Sequence, residues 1–276
     1  MDIVTRFAPS PTGDLHLGHA FSALTAWRCA REAGGRFLLR LEDIDPGRCR
    51  PDFAEAVQPD LVWLGIDWDG PIRVQSAHLA EYRAMLKGLA ARGLLYPCFC
   101  TRKDIAAATS APQGADGPVY PGTCRLLSPA DRAAWITSGA QFALRLDVAR
   151  AMEAVAGPLH FEEEGRGSIA CDPARFGDVV LGRKDTPASY HLCVAHDDAL
   201  QGVTLVTRGE DLLPATHLHR LLQALMGWPA PRYAHHQLLT DATGRRLAKR
   251  DSATTLRDMR ARGVKPAEVK RMMGME

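Results

Sequence analysis

The first forty residues leave few folds open to this chain. Residues 3–8 (Ile-Val-Thr-Arg-Phe-Ala) have the apolar character of a short buried strand, and Pro9, Pro11 and Gly13 then break the backbone. From 18 to 33 an alanine-rich pattern predicts a helix, closed by Gly34 and Gly35, and 36–41 predicts a second strand. Strand, loop, helix, strand is the unit of a parallel sheet, because parallel neighbours need a crossover and a helix supplies it.

The rhythm continues with helices predicted at 53–64 and 77–91, then breaks. Residues 98–125 hold Cys98, Cys100 and Cys124 around a Gly/Pro/Ala-rich stretch at 106–122. Strands are predicted at 142–148, 159–164 and 168–171. The βα rhythm returns with strands at 190–195 and 203–207 and an amphipathic helix at 216–226. The reading is an α/β sheet split by an inserted module, without internal repeats.

Charge narrows the function classes. Lys and Arg total 34 against 32 Asp and Glu, a net +2, far from the balance of a protein that only coats nucleic acid, although a local basic groove stays open. A hydrophobic content of 46% excludes disorder as the main state. There is no charged segment leading into an apolar one and no run of about 18 apolar residues, so a cytoplasmic protein outside the membrane is expected. Seven cysteines without a leader argue against a disulfide framework.

Three segments carry chemistry. His16-Leu17-Gly18-His19 sits at the mouth of the first predicted helix. Unpaired N–H groups and the positive dipole end suit phosphate there, two imidazoles add donors without fixed charge, and Gly18 allows close approach to the backbone. Thr243-Gly244-Arg245-Arg246-Leu247-Ala248-Lys249-Arg250 is a basic loop with one glycine, fit for transition-state charge or for an RNA backbone. Cys98, Cys100 and Cys124 offer three soft ligands where structural Zn²⁺ takes four. Tyr120, Asp104, Asp116 and water are the candidates for the fourth. His191, His196, His217, His219, His235 and His236 are assigned structural or RNA-facing roles, since no motif context matches them, and 217 and 219 make a poor metal pair because they do not face each other on a helix. Asp43, Asp45 and Asp211 are read as ion pairs or caps.

The segment from Arg6 to His19 resembles the class I aminoacyl-tRNA synthetases, within them the glutamyl/glutaminyl branch, with His16-Leu17-Gly18-His19 standing at their HIGH signature. Leu41-Glu42-Asp43-Ile44-Asp45, Gly65-Ile66-Asp67-Trp68 and Arg208-Gly209-Glu210-Asp211-Leu212 also resemble that branch. Arg246-Leu247-Ala248-Lys249-Arg250 matches the KMSKS signature only at its lysine, with Arg250 in place of the final serine. The resemblance covers about residues 3–260. The Cys-x-Cys…Tyr-x-x-x-Cys cluster and the short stretch after Lys249 are similar to the short members of the branch. These lack an anticodon-binding domain and attach glutamate to queuosine in the anticodon of tRNA(Asp).

The resemblance implies a Rossmann-like parallel-sheet catalytic domain (1–97 and 188–251), split by a zinc-bearing, acceptor-binding-like insertion (98–187) and followed by a short helical tail (252–276). It implies ATP with Mg²⁺, L-glutamate and tRNA(Asp) carrying queuosine as partners, one structural Zn²⁺, and a monomer. Carried over residue by residue, His16, Gly18, His19 and Lys249 take ATP, with His16, His19 and Lys249 catalytic. Arg6 and Arg208 take the glutamate carboxylates, Glu42 the ammonium, and Tyr190 and Ser10 complete the pocket. Tyr120 becomes the fourth zinc ligand beside Cys98, Cys100 and Cys124. Three rivals stand against this reading: a truncated synthetase charging an acceptor-stem 3′ end, a non-catalytic RNA-binding paralogue suggested by the eroded second signature, and a glutamine-specific enzyme.

Overall fold

The computed structural model describes residues 2–107, 113–114, 117–239 and 254–275. β1 (Val4–Phe7) is buried along its whole length, α1 (Leu17–Glu32) crosses over, and β2 (Arg36–Leu41) returns parallel, with Arg6 opposite Leu38. Ala20, Ala23, Ala26 and Ala30 are buried on α1, a row of small side chains that lets the helix lie close on the strands. Gly35 is required by a close approach: a side chain there would collide with the Ile3 carbonyl, whose oxygen accepts the Arg36 N–H. α2 (Pro51–Trp63) leads to β3 (Arg73–Val74), which pairs parallel to β2.

After α3 (Leu79–Ala91) the rhythm breaks where the sequence predicts. β4 (Leu95–Cys98), α4 (Arg102–Ala107), the two-residue strands β5 (Gln113–Gly114) and β6 (Gly117–Pro118), and α5 (Pro129–Thr137) precede β7 (Ala143–Leu146). α6 (Val148–Glu153), β8 (His160–Glu163), β9 (Gly167–Ala170) and β10 (Val179–Gly182) follow. β7 is the middle strand of an antiparallel sheet between β10 and β4. The β8–β9 hairpin instead joins a parallel-paired sheet, with Glu163 opposite Tyr233.

The chain returns through α7 (Tyr190–Leu200), β11 (Leu205–Gly209), α8 (Leu213–Met226) and β12 (Arg232–His236), and β11 and β12 pair parallel. α7 corrects the strand expected at 190–195. Residues 192–198 are all buried, so the segment has no polar face to betray a helical period, and a short apolar run reads alike for a buried strand and a buried helix.

β1 and β11 stand side by side. Thr204 donates its N–H to the Val4 carbonyl at 3.0 Å, and its hydroxyl accepts the Val4 N–H at 2.9 Å. The sheet order therefore runs outward from β1 through β2 and β3 on one side, and from β11 through β12 on the other. The crevice beyond the carboxyl ends of β1 and β11 is where such a sheet binds ligands.

The tail forms α9 (Leu256–Ala261) and α10 (Pro266–Met272). Leu256, Met259, Val269 and Met273 share the core of α1 and Leu61. The Leu256 N–H donates to the Leu15 carbonyl at 2.8 Å, and Thr255 bridges to His16. Arg257–Asp14 and Arg260–Asp60 contacts, at 3.0 and 3.4 Å, hold the tail beside the start of α1. No helix of the described residues is long and apolar enough to cross a membrane.

Candidate functional site

The crevice is a pocket of about 410 Å³. Arg6, Ser10, His16, Gly18, His19, Glu42, Tyr190 and Arg208, eight residues singled out in the sequence, all line it. Lys249 lies outside the described residues, as do Arg246 and Arg250.

At the mouth of α1 the two histidines cap the helix. His16 is the N-cap and its Nδ1 accepts the Gly18 N–H at 3.1 Å, while His19 Nδ1 accepts the His16 N–H at 3.2 Å. The rings lie 3.9 Å apart between centroids, tilted by 30°. With both Nδ1 atoms accepting, the neutral rings carry their protons on Nε2, a donor set suited to phosphate. Gly18 leaves room for His16 itself: a Cβ there would meet the ring at 3.0 Å.

The floor is a chain of buried ions. Arg6 pairs with Asp198 through Nε to Oδ1 at 2.9 Å and Nη2 to Oδ2 at 3.3 Å. Arg40, 0% exposed, donates to the same Asp198 Oδ1 at 2.9 Å and to Glu42 Oε1 at 3.1 Å. Burial opposes ionisation of Asp198, but the Arg6 and Arg40 guanidiniums overcome it and hold the carboxyl below its usual range. Burial pushes the Glu42 carboxyl up despite Arg40 and Arg6, so Glu42 gains from a further cation. The chain fixes geometry, since desolvation cancels most of the Coulomb energy of buried ions.

Arg208 is held differently. Its Nε donates to His235 Nε2 at 3.0 Å, its Nη1 to His219 Nδ1 at 3.1 Å and its Nη2 to Thr216 Oγ1 at 2.7 Å, and its guanidinium lies 5.4 Å from the Tyr233 ring centroid. His235 Nδ1 is 2.7 Å from Glu163 Oε2.

The sequence reading missed Asp198, Arg40, Glu163 and the functional placement of His219 and His235. Arg40 did leave a signal, a charged residue inside the apolar strand Phe37-Leu38-Leu39-Arg40-Leu41. Asp45 makes the expected ion pair, with Arg183 at 3.0 Å, whereas Asp43 accepts from the Ser76 backbone N–H and hydroxyl at 2.8 and 2.6 Å and Asp211 lines the pocket.

A second cluster lies outside the pocket lining. The Sγ atoms of Cys98, Cys100 and Cys124 lie within 4.8 Å of one another. Cys100 Sγ is 3.5 Å from both Cys124 Sγ and Tyr120 Oη. Zn–S near 2.3 Å and Zn–O near 2.0 Å give tetrahedral edges of about 3.8 and about 3.5 Å, so the set fits zinc. Tyr120 Oη accepts the Cys124 N–H at 2.8 Å and the Arg145 guanidinium sits 3.8 Å from its ring centroid, two contacts that would stabilise a phenolate on a metal, while burial pushes the free phenol up. Of the other candidates for the fourth ligand, Asp104 is exposed and accepts from Thr101, and Asp116 lies outside the described residues.

Residues 2–275 match the family of tRNA synthetases class I (E and Q), catalytic domain. The chain is 50% identical over 285 residues to the Glutamyl-Q tRNA(Asp) synthetase of Rhodobacter capsulatus, covering 99% of this chain and 100% of that protein. It is 38% identical over 265 residues to the glutamate–tRNA ligase of Aquifex aeolicus, covering 96% of this chain and 55% of that one. A solved glutamate tRNA ligase from Elizabethkingia meningosepticum, in complex with its amino acid, matches with a TM-score of 0.76 at 28% identity, over 91% of this chain and 52% of that chain. The chain thus spans about half the length of these ligases and the whole length of the Rhodobacter relative.

Proposed function

The chain belongs to the class I tRNA synthetases of the glutamate and glutamine branch, and from that premise we propose that it activates glutamate with ATP and transfers the glutamyl group to queuosine in the anticodon loop of tRNA(Asp). One observation carries the amino-acid assignment. Two buried guanidiniums and a buried carboxylate share a single pocket with the histidine-capped start of α1. Arg pairs planar carboxylates in a bidentate way, Glu42 suits an ammonium, and the helix start suits phosphate. Tyr190, against His191 and His219, and Ser10 complete the glutamate side. The acceptor assignment rests on the relative that matches at full length.

In the first step an oxygen of the substrate's α-carboxylate attacks the α-phosphorus in line, and the bond to pyrophosphate breaks. The substrate supplies the nucleophile, so the protein contributes positioning and charge. ATP is expected as its Mg²⁺ complex, which neutralises the leaving pyrophosphate. The proposed ATP contacts are His16, Gly18, His19 and Lys249. The assignment of Lys249 rests on the likeness of Arg246-Leu247-Ala248-Lys249-Arg250 to the second signature. In the second step a hydroxyl of the queuosine diol attacks the adenylate carbonyl, loses its proton, and AMP leaves, forming an ester.

The decisive experiment is transfer of labelled glutamate to tRNA(Asp) with and without queuosine. The expected result is alkali-labile label only on queuosine-containing tRNA, mapped to the anticodon loop, where splayed bases are read individually. Label on the 3′-terminal adenosine would make this an acceptor-stem enzyme, and wild-type protein without glutamate-dependent ATP–pyrophosphate exchange would make it a non-catalytic paralogue.

We further read 98–187 as an insertion holding a structural zinc on Cys98, Cys100, Tyr120 and Cys124, between catalytic halves 1–97 and 188–251, with 252–276 as the tail. Purified protein is expected to hold about one zinc per chain by elemental analysis. Cys100→Ser is expected to lose the metal and to impair RNA transfer more than glutamate activation, because the cluster lies outside the pocket lining. Full metal content in a Cys98/Cys100 double variant would overturn the ligand set.

A further inference from the structure

Arg208 and the histidines around it carry an inference that rests on the glutamate reading above. A guanidinium only donates. Each ring nitrogen it meets must therefore be a bare lone pair, which fixes the protonation of the rings. His235 accepts from Arg208 on Nε2, so its proton is on Nδ1 and points at Glu163 Oε2, 2.7 Å away. Glu163 is itself fixed, because Oε1 accepts the His235 backbone N–H at 2.8 Å. His219 accepts on Nδ1, so its proton is on Nε2 and points at His191 Nδ1, 3.1 Å away. The two rings are neutral in opposite tautomers, and one guanidinium dictates both.

The electrostatic consequence separates Arg208 from Arg6. Asp198 meets the Arg6 charge directly, at 2.9 and 3.3 Å. Among the described residues no carboxylate pairs with Arg208. Its three hydrogen bonds go to neutral acceptors, and Glu163 reaches it only through His235. Arg208 is 6% exposed, His219 3%, and the His235 side chain is buried. Burial and Arg208 together push the His219 imidazole well below its usual range, and His235 down to about 4 against the pull of Glu163, in keeping with neutral rings.

We propose that His219 and His235, the latter oriented by Glu163, are positioning residues that aim the Arg208 guanidinium into the pocket and leave it without a directly paired carboxylate, so that the substrate's own carboxylate is its direct counter-ion. A carboxylate in the place of either histidine would fix Arg208 equally well and would cancel the charge that selects an acidic amino acid. The histidines supply acceptor geometry without negative charge.

The test has two independent readouts. Long-range nitrogen–proton NMR of labelled wild-type protein near neutral pH is expected to show His235 protonated on Nδ1 and His219 on Nε2. In ATP–pyrophosphate exchange, His219→Leu and His235→Leu are each expected to raise the KM for glutamate by about 10- to 100-fold, the range for losing a hydrogen bond to a charged group, with the KM for ATP unchanged. His219→Asn and His235→Gln, whose amide oxygens reproduce the acceptor, are expected to recover most of the loss. An imidazolium or a reversed tautomer at either ring would overturn the proposal, as would leucine variants with an unchanged glutamate KM or an equal rise for both substrates. Wild-type protein that fails to activate glutamate would overturn the glutamate reading alone, because the ring tautomers still decide how Arg208 is held.

Discussion

Replacing Lys249 by alanine is expected to slow glutamate-dependent ATP–pyrophosphate exchange by about 10²–10³-fold, the scale for removing one preorganised charge-stabilising donor, with little change in the KM for glutamate. Negative charge spreads over the α-phosphate and the leaving pyrophosphate as the bond between them breaks. On the proposed reading His16 and His19 meet phosphate through neutral Nε2 donors at the start of α1, whereas Lys249 brings a full positive charge. A lysine that engages only as charge develops lowers the barrier instead of tightening substrate binding, and its loss falls on kcat. Thermal unfolding of the variant, measured alongside, is expected to match the wild type. Wild-type exchange rates in Lys249→Ala would hand the role to Arg246 or Arg250, the other cations of that segment.

What the sequence disclosed follows the range of the interactions involved. The β1–α1–β2 unit was legible because each signal is local: breakers at Pro9, Pro11 and Gly13, a helical run, and Gly34-Gly35 at its end. The parallel α/β class followed from it, and it agrees with the family match. The pocket-lining positions were found through short motifs whose members are close in sequence. α7 was misread because burial erased its amphipathic pattern. The partners that set the electrostatics were invisible for a different reason. Arg6 and Asp198 are 192 residues apart, Arg40 and Asp198 are 158, and Glu163 and His235 are 72. Nothing local names the partner in such a pair, since each residue alone reads as an ordinary charge or a structural histidine. The β8–β9 hairpin was recognisable as two strands, but its attachment to β12, which brings Glu163 against His235, needs the tertiary register. Asp197 and Asp198 in the middle of an apolar segment, like Arg40 in an apolar strand, were the available hints. A charge that breaks an apolar run is a question about its distant partner.

Wild-type protein is expected to activate glutamate about 10²–10³-fold better than glutamine, and Arg208→Ala is expected to lose that activation by a similar factor without gaining glutamine. The magnitude follows from the cost of leaving one partner of a buried charge pair unmatched, about 3–5 kcal/mol. Glutamine offers a neutral amide to a guanidinium whose other contacts, His219, His235 and Thr216, are neutral as well. The buried charge then stays unmatched, and one amide proton faces a group that can only donate. Arg6 does not repair this, because Asp198 already meets its charge. Alanine at 208 exposes the lone pairs of His219 and His235 toward a pocket that is polar and roomy, so water fills the vacated volume, and an incoming amide must displace it without a preformed partner. Glutamate meanwhile loses its counter-ion. Exchange assays with each amino acid, in the wild type and in Arg208→Ala, decide the matter. Comparable wild-type rates for glutamate and glutamine would overturn the assignment of Arg6 and Arg208 to the carboxylates, and a gain of glutamine activation in the variant would show that the neutral acceptors around position 208 suffice to bind an amide.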